Sequence, residues 1–281
     1  SRPKHVICGA LPMKTVPDAY LGVWRRRLLT TTAGLRDETS EVYWLQTACL
    51  HADLRLPGGQ PVAPAASLET CSHAQQLALS EQAGFAGITE VNGDICQWHR
   101  LIDFQPPGGP ADIGLMRFET PERLLEDGLD GSYHEIWQRL PESQGRNWGI
   151  WLRASEQPAR QACLLVAGDY FLFAAERPIL LPASSGHLRE QLAAVEPALW
   201  PQLLACELSF GRHRNGATPW QITHSTLPGR VGDALLSSYW NFADPASLPA
   251  ADLAALGRYP AAGGWQRVEL DVPTATEKVP A

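Results

Sequence analysis

Apolar and polar residues alternate along much of the first two thirds of the chain, as is typical of half-buried β-strands. These runs are short, and Gly, Pro, Asn and Asp separate them. Asn92-Gly93 stands between two of them and is a strong hairpin signal. Many short strands predict a mainly β fold, a sandwich or a barrel. The predicted strands are residues 22–32, 42–56, 84–91, 95–105, 112–118, 133–140, 148–154, 162–175, 206–213, 220–225 and 265–271.

Two segments in the last third depart from this alternation. Leu188, Leu192 and Val195 recur at helical spacing, and Ser185 precedes them as a suitable N-cap. Residues 247–256 predict one more short helix. Earlier in the chain, Asp127-Gly128 and Asp130-Gly131 predict turns. We therefore expect an antiparallel β fold that carries one or two helices in its C-terminal part.

The first predicted strand opens with Gly22-Val23-Trp24, a Gly-x-Trp that is followed by up-and-down strands and then by a helix before the closing strands. In these features the chain resembles the calycins, the class of lipocalin-like β-barrels, over roughly residues 20–175. The resemblance implies a closed barrel with a cup for a small ligand. Because the chain is longer than one such barrel, we expect an N-terminal arm (1–19), a lipocalin-like antiparallel barrel (20–175), and a helix plus closing strands packed on it (176–281).

Composition and charge narrow the choice of partners. The net charge is −7, so neither nucleic acid nor an anionic membrane surface is expected as a partner. Ten tryptophans imply aromatic walls in cores or pockets. None of the six cysteines forms a C-x-x-C motif, so we interpret them as reduced thiols and predict a cytoplasmic protein. The oligomeric state stays open, with a homodimer as one alternative.

Three predicted strands place ionisable residues on one face, because alternate residues of a strand share a face. That face either meets water or lines the barrel, in which case the C-terminal part covers the apolar outer face. Lysine is absent from all three runs, which favours a polar pocket over a solvated surface. The residues of this face are Tyr43, His51, Asp53 and Arg55 in the first strand, Gln97, His99, Asp103 and Gln105 in the second, and Tyr133, Glu135, Trp137 and Arg139 in the third.

A histidine near a carboxylate can transfer a proton at neutral pH, and an arginine can hold an anionic group. One hypothesis is therefore a lyase, isomerase or hydratase that needs no cofactor. Its catalytic residues would be His51, Asp53, His99, Asp103 and Glu135. The ligand, anionic or aromatic, would contact Tyr43, Arg55, Gln97, Gln105, Tyr133, Trp137 and Arg139.

Three alternatives stay open at the level of sequence. The first is a binding or carrier barrel without turnover, which the tryptophan content and the lipocalin-like opening favour. The second is an enzyme that uses a metal held by two histidines and one carboxylate. No H-E-x-x-H or comparable motif is present, and we expect no cofactor and no metal. The third is a protein-interaction module.

Overall fold

The computed structural model describes residues 15–58, 65–181, 186–214, 218–236 and 247–268. Within these ranges the chain forms a nine-stranded and a six-stranded antiparallel sheet, which confirms the mainly β class. In place of one or two helices the described residues contain four short ones. They are α1 (His73–Leu79), α2 (Leu188–Ala193), α3 (Trp200–Leu204) and α4 (Ala250–Ala254). None of these helices could cross a membrane.

The first sheet closes into a barrel. Its strands are β1 (Gly22–Thr31), β2 (Arg36–Asp37), β3 (Glu41–Gln46), β4 (Leu50–Leu56), β5 (Ala83–Asn92), β6 (Ile95–Asp103), β7 (Asp112–Thr120), β8 (Arg123–Gly128) and β9 (Tyr133–Arg139). From β3 to β9 each strand pairs with the next, and β1 pairs with both β3 and β9. Eight strands therefore close in up-and-down order, as the lipocalin-like resemblance implies. Trp24 is fully buried beneath the guanidinium of Arg139, 4.5 Å from its ring.

The second sheet packs on the outside of the barrel. Its strands are β10 (Asn147–Ala154), β11 (Gln161–Ala167), β12 (Tyr170–Ala175), β13 (Glu207–Arg212), β14 (Gln221–Ser225) and β15 (Trp265–Arg267). Leu54 and Ile88 of the barrel share one buried cluster with Leu165, Leu172 and Leu208 of this sheet. Strands β10 to β12 lie in this second sheet, although the sequence places them in the barrel, whose last strand ends at Arg139. The division into domains stays a prediction.

A tight turn divides the predicted strand at residues 42–56 into β3 and β4. The hydroxyl of Thr47 accepts a hydrogen bond from the Leu50 amide and donates one to the Leu50 carbonyl, both at 3.1 Å. These local bonds compete with a continued strand and favour a turn. Strand β4 therefore returns antiparallel to β3.

The turn changes which residues share a face. Across the ladder, Trp44 is opposite Asp53, whereas Tyr43 is opposite Leu54. Residues opposite each other in a ladder point to the same side of the sheet. The prediction that Tyr43 shares a face with His51 and Asp53 is therefore wrong: Tyr43 lies outside the barrel and stacks on Phe210 of the second sheet, with ring centroids 4.5 Å apart.

A β-bulge likewise divides the predicted face of β6. Ala86 pairs with Ile102 and Gly87 with Arg100, so Leu101 has no partner in the ladder. A side chain at Gly87 would clash with the His99 carbonyl oxygen, which accounts for glycine at this position. Because of the bulge, His99 and Asp103 lie on opposite faces of the barrel wall.

Three further differences come from local signals. Helix α1 is not among the predicted elements. It begins with a capping box, in which the side chains of Ser72 and Gln75 accept hydrogen bonds from each other's backbone amides. Asp127-Gly128 ends strand β8 instead of forming a turn. The predicted strand 162–175 turns at Gly168, whose φ is +55°.

Two predictions lie outside the described residues: the N-cap at Ser185 and most of the N-terminal arm. Of the six cysteines, Cys8 is not described, and the other five are buried. The cytoplasmic location remains a prediction.

Candidate functional site

Tryptophans and charged residues together line the inner face of the barrel. Trp44 contacts Trp98 and Trp137 edge to face, with ring centroids 5.4 and 5.6 Å apart. His51 and Asp53 of β4 and Glu135 of β9 are almost fully buried on the same side of the sheet. The second sheet packs on the apolar outer face of β4, so the polar face of β4 lines the barrel, and the buried residues Glu135 and Trp137 of β9 lie on the same inner side.

A small cavity, here called the chamber, lies between these side chains. Its free volume is about 10 Å³, which is the room that one water molecule needs. The tryptophans therefore fill most of the barrel, and the chamber has no space for a whole organic ligand. Its lining residues are Trp44, Asp53, Arg55, Phe85, Trp98, Asp112, Glu126 and Trp137.

Carboxylates of the chamber are held by specific partners. Arg55 pairs with Asp53 at 2.7 Å. Glu126 accepts hydrogen bonds from the Tyr133 hydroxyl at 2.8 Å and the Trp137 indole at 2.9 Å, and it is opposite Glu135 in the ladder. Burial, together with the nearby Glu135 carboxylate, raises the pKa of Glu126 well above its ordinary value. Burial therefore favours the protonated form of Glu126.

Arg26 neutralises Glu135. Its guanidinium donates to Glu135 at 2.9 Å and to Asp37 at 2.9 Å, and both Arg26 and Glu135 are less than a tenth exposed. Glu135 is therefore held as an ion-paired carboxylate inside the barrel wall.

His51 belongs to a buried chain of hydrogen bonds whose proton positions can be derived. The indole of Trp44 can only donate, so the oxygen of Gln46, 3.1 Å away, accepts. Thr89 donates its single hydroxyl proton to the same oxygen at 2.9 Å. Thr89 must then accept from Nδ1 of His51, 3.0 Å away. His51 is therefore protonated on Nδ1 and carries a bare lone pair on Nε2.

That lone pair has no hydrogen-bond partner among the described residues, although the atom is fully buried. Burial, followed by the charge of Arg100, lowers the pKa of His51 well below 6.5. His51 is thus a neutral acceptor inside the barrel. Its ring lies edge to face against Phe85, a lining residue of the chamber, with centroids 5.7 Å apart.

A larger cleft of about 670 Å³ lies beside the barrel, between β6, the loop that follows it, and the segment after β12. Trp98 and Asp112 line both the cleft and the chamber. The cleft therefore has polar and apolar walls. Its apolar lining includes Leu101, Pro106, Pro107, Pro110, Ile179, Leu180 and Leu181, and its polar lining includes Gln97, His99, Arg100, Asp103, Gln105, Asp112, Glu176, Arg177 and His187.

Arg100 bridges the place where the barrel wall opens toward the cleft. The ladder between β6 and β7 ends at the pair Trp98 and Asp112. Beyond it, Arg100 bonds Asp112 at 2.7 Å and Asp103 at 3.2 Å. Its guanidinium lies 3.6 Å from the centroid of the Phe85 ring, an arrangement of a cation over an aromatic face.

The predicted site residues fall into three groups. Asp53, Arg55 and Trp137 line the chamber, and Tyr133, Glu135 and His51 adjoin it through the contacts described above. Gln97, His99, Asp103 and Gln105 line the cleft instead. The structure therefore does not bring the two histidines together, because His51 faces inward and His99 outward.

Two of the predicted ligand contacts have structural roles. Arg139 donates to the carbonyls of Ala19 and Pro121, at 2.7 and 3.0 Å, and so closes one end of the barrel. Tyr43 packs between the two sheets, as described above. Gln105 lines the cleft, yet its amide also bonds the carbonyl of Ser80 at 2.9 Å.

The alternation of apolar and polar residues does not predict several residues of the site. Trp98 and Arg100 occupy the face of β6 that the alternation assigns to the apolar side. Trp44 is assigned to the wrong face because of the turn at Thr47. Glu126 lies in a strand that the alternation does not reveal. Glu126 precedes Glu135 by nine residues, a spacing typical of a hairpin, and only this spacing could have indicated that the two carboxylates are paired.

The metal alternative is not supported by the arrangement of ligands. Within the described ranges, no three His, Cys, Asp or Glu side chains are grouped as metal ligands. His51 and His99 lie on opposite faces of the wall, so two histidines and one carboxylate cannot converge.

Neither a protein-family model nor a curated protein sequence significantly matches the chain. Two solved structures are similar. One is a lipocalin-like protein from Bacteroides uniformis, at 12% identity and a TM-score of 0.29, covering 43% of this chain and 99% of that one. The other is an uncharacterized protein from Saccharomyces cerevisiae, at 13% identity and a TM-score of 0.51, covering 89% of this chain and 99% of that one. The yeast structure shares the fold.

Proposed function

We propose that the protein binds a small organic molecule in the cleft beside the barrel. The observation that carries this proposal is the size and lining of the cleft. Its 670 Å³ lies within the range of small-molecule pockets, which are mostly apolar with a few polar groups. The lining combines apolar residues, among them Leu101, Ile179 and prolines, with the charged cluster of Arg100, Asp103 and Asp112.

The barrel supports this assignment in a second way. Lipocalin-like barrels hold one small ligand when their interior has room. Here aromatic rings occupy that interior, so the ligand's body would lie in the cleft at the opening of the barrel. Binding without turnover needs nothing beyond this geometry.

Filling the cleft tests the proposal. Ala111 is exposed and lines the cleft, so an Ala111→Trp variant should fold normally and obstruct binding. We expect wild-type protein to bind the neutral dye Nile red saturably, with enhanced fluorescence, and Ala111→Trp to bind it at least about tenfold more weakly.

The matched control is Ala159→Trp, at an exposed turn between β10 and β11 away from the cleft lining. It should bind the dye like the wild type. Equal binding by both variants, or no saturable binding by the wild type, would contradict the proposal.

A second candidate, acid–base catalysis of the lyase or isomerase type, is favoured by one pair of residues. His99 lines the cleft, and its Nε2 lies 3.0 Å from a carboxylate oxygen of Glu90. A carboxylate that orients a histidine in this way is a common arrangement for a general base. Of the predicted catalytic residues that line the cleft, His99 is the one that has a carboxylate partner of this kind, and Glu90 is new to the set.

Proton abstraction next to a carbonyl is a step that isomerases and lyases share, and it can be measured without the natural substrate. In D₂O the wild type should accelerate deuterium exchange at the α-carbons of cyclohexanone, followed by NMR, and His99→Gln should reduce the acceleration at least about tenfold. A wild-type rate equal to that of His99→Gln would exclude this candidate.

A further inference from the structure

A positive charge of the protein itself, the Arg100 guanidinium, lies at the edge of the chamber. It lies over the face of Phe85 and against the carboxylate of Asp112, and Phe85 and Asp112 both line the chamber. Arg100 itself lines the cleft, where it also bonds Asp103, and its side chain is 36% exposed. It can therefore swing toward Asp103 and the cleft while keeping an ion pair.

If Arg100 moves, the chamber becomes suited to a cation. Asp53 and Asp112 are carboxylates, whereas Arg55 is the one cationic lining residue among those that the structure describes. Burial favours the protonated form of Glu126, which carries no charge. One positive charge is therefore needed to restore neutrality, and the faces of Trp44, Trp98 and Phe85 favour a cation over an anion.

The bare Nε2 of His51 is an independent sign of a missing donor. A buried acceptor without a partner is costly and is normally satisfied by a ligand or an ordered water. Since Nδ1 carries the proton, Nε2 can only accept, and an N–H group is a suitable partner.

From these observations we infer that the ligand of the cleft is a primary amine with an apolar body. Its ammonium group takes the place of the Arg100 guanidinium at the edge of the chamber, over Phe85 and against Asp112, near the His51 ring that packs on Phe85. A primary ammonium is about the size of a water molecule, for which the chamber has room. The apolar body lies along Leu101, Ile179 and Leu181 in the cleft. This inference rests on the proposed function of the cleft.

Three six-carbon compounds test the charge selection: hexylamine, hexanol and hexanoate. Trp44, Trp98 and Trp137, three of the ten tryptophans, line the chamber, so a bound ligand should change the intrinsic fluorescence. At neutral pH hexylamine is protonated, as lysine is. We expect saturable binding of hexylamine and binding of the other two at least about tenfold weaker.

Two variants locate the site. Asp112→Asn should weaken hexylamine at least about tenfold and leave hexanol unchanged. Asp127→Asn, at a half-exposed carboxylate on the adjacent strand that pairs with His134, should leave all three compounds unchanged. In addition, hexylamine should shift the ¹⁵N resonance of His51 Nε2, which a ligand confined to the cleft would not do.

The possible outcomes separate the two proposals. Hexanol or hexanoate binding as tightly as hexylamine would overturn the amine inference and leave the cleft as a binding site. Nile red binding without hexylamine binding would also overturn the amine inference and leave the cleft as a binding site. If neither the dye nor any of the three compounds binds, both proposals are overturned.

Discussion

Replacing Arg26 with methionine is expected to lower the free energy of unfolding by about 3–5 kcal/mol. Arg26 bonds both Glu135 and Asp37 at 2.9 Å, and Glu135 is buried in the barrel wall. Without the guanidinium, Glu135 becomes a buried carboxylate that has lost its cation. Removing one partner of such a pair costs more than the pair itself contributes, because the remaining charge is left without water or a counter-ion. Urea unfolding at pH 7 measures the change.

Two companion variants distinguish burial from charge alone. Arg36→Met removes an arginine that pairs with Glu38 at the surface, where both side chains are more than half exposed, and it should change stability by less than about 0.5 kcal/mol. Arg26→Met combined with Glu135→Leu should recover part of the loss. A loss below about 1 kcal/mol for Arg26→Met alone would mean that Glu135 is not buried.

Lowering the pH is expected to destabilise the protein through His51. Burial holds its pKa in the folded state well below 6.5, whereas in the unfolded chain it titrates at its ordinary value. Below that value the unfolded state binds more protons than the folded state, so stability falls as the pH falls. At about pH 5 the penalty reaches about 2 kcal/mol for a group that titrates only when unfolded.

Other groups also titrate in this range, and Glu126, whose pKa is raised by burial, acts in the opposite direction. Comparing the pH dependence of the wild type with that of a His51→Asn variant removes the contribution of these other groups. From about pH 7.5 to pH 5, the wild type should lose about 2 kcal/mol more than this variant in urea unfolding. Parallel stability curves would show that His51 is protonated in the folded protein.

Much of the fold could be predicted from the alternation of apolar and polar residues. Most barrel strands, though not β8, follow from it, and so does the polar face of β4, because the second sheet packs on the apolar outer face of that strand. His51 and Asp53 are inside the barrel for that reason, and Glu135 shares the inner face of β9 with Trp137. The assignment of β10 to β12 could not be predicted, since an alternating strand suits either sheet.

The errors about the site have local causes. The hydroxyl of Thr47 ends β3, and nothing in the alternation of residues 42–56 shows this turn, so Tyr43 is placed on the wrong face. The bulge at Gly87 separates His99 from Asp103 in the same way. A single inserted or turned residue reverses every later side chain, so strand periodicity alone can predict the residues of a site but not which of them converge.

The ¹⁵N spectrum of the His51 ring tests most directly whether this polar strand face is enclosed in the barrel. We predict a proton on Nδ1, a bare Nε2, and no change between about pH 8 and pH 5 in the absence of ligand. A ring that gains its second proton near the ordinary histidine pKa, or that carries its proton on Nε2, would contradict both the enclosed chamber and the amine site built on it.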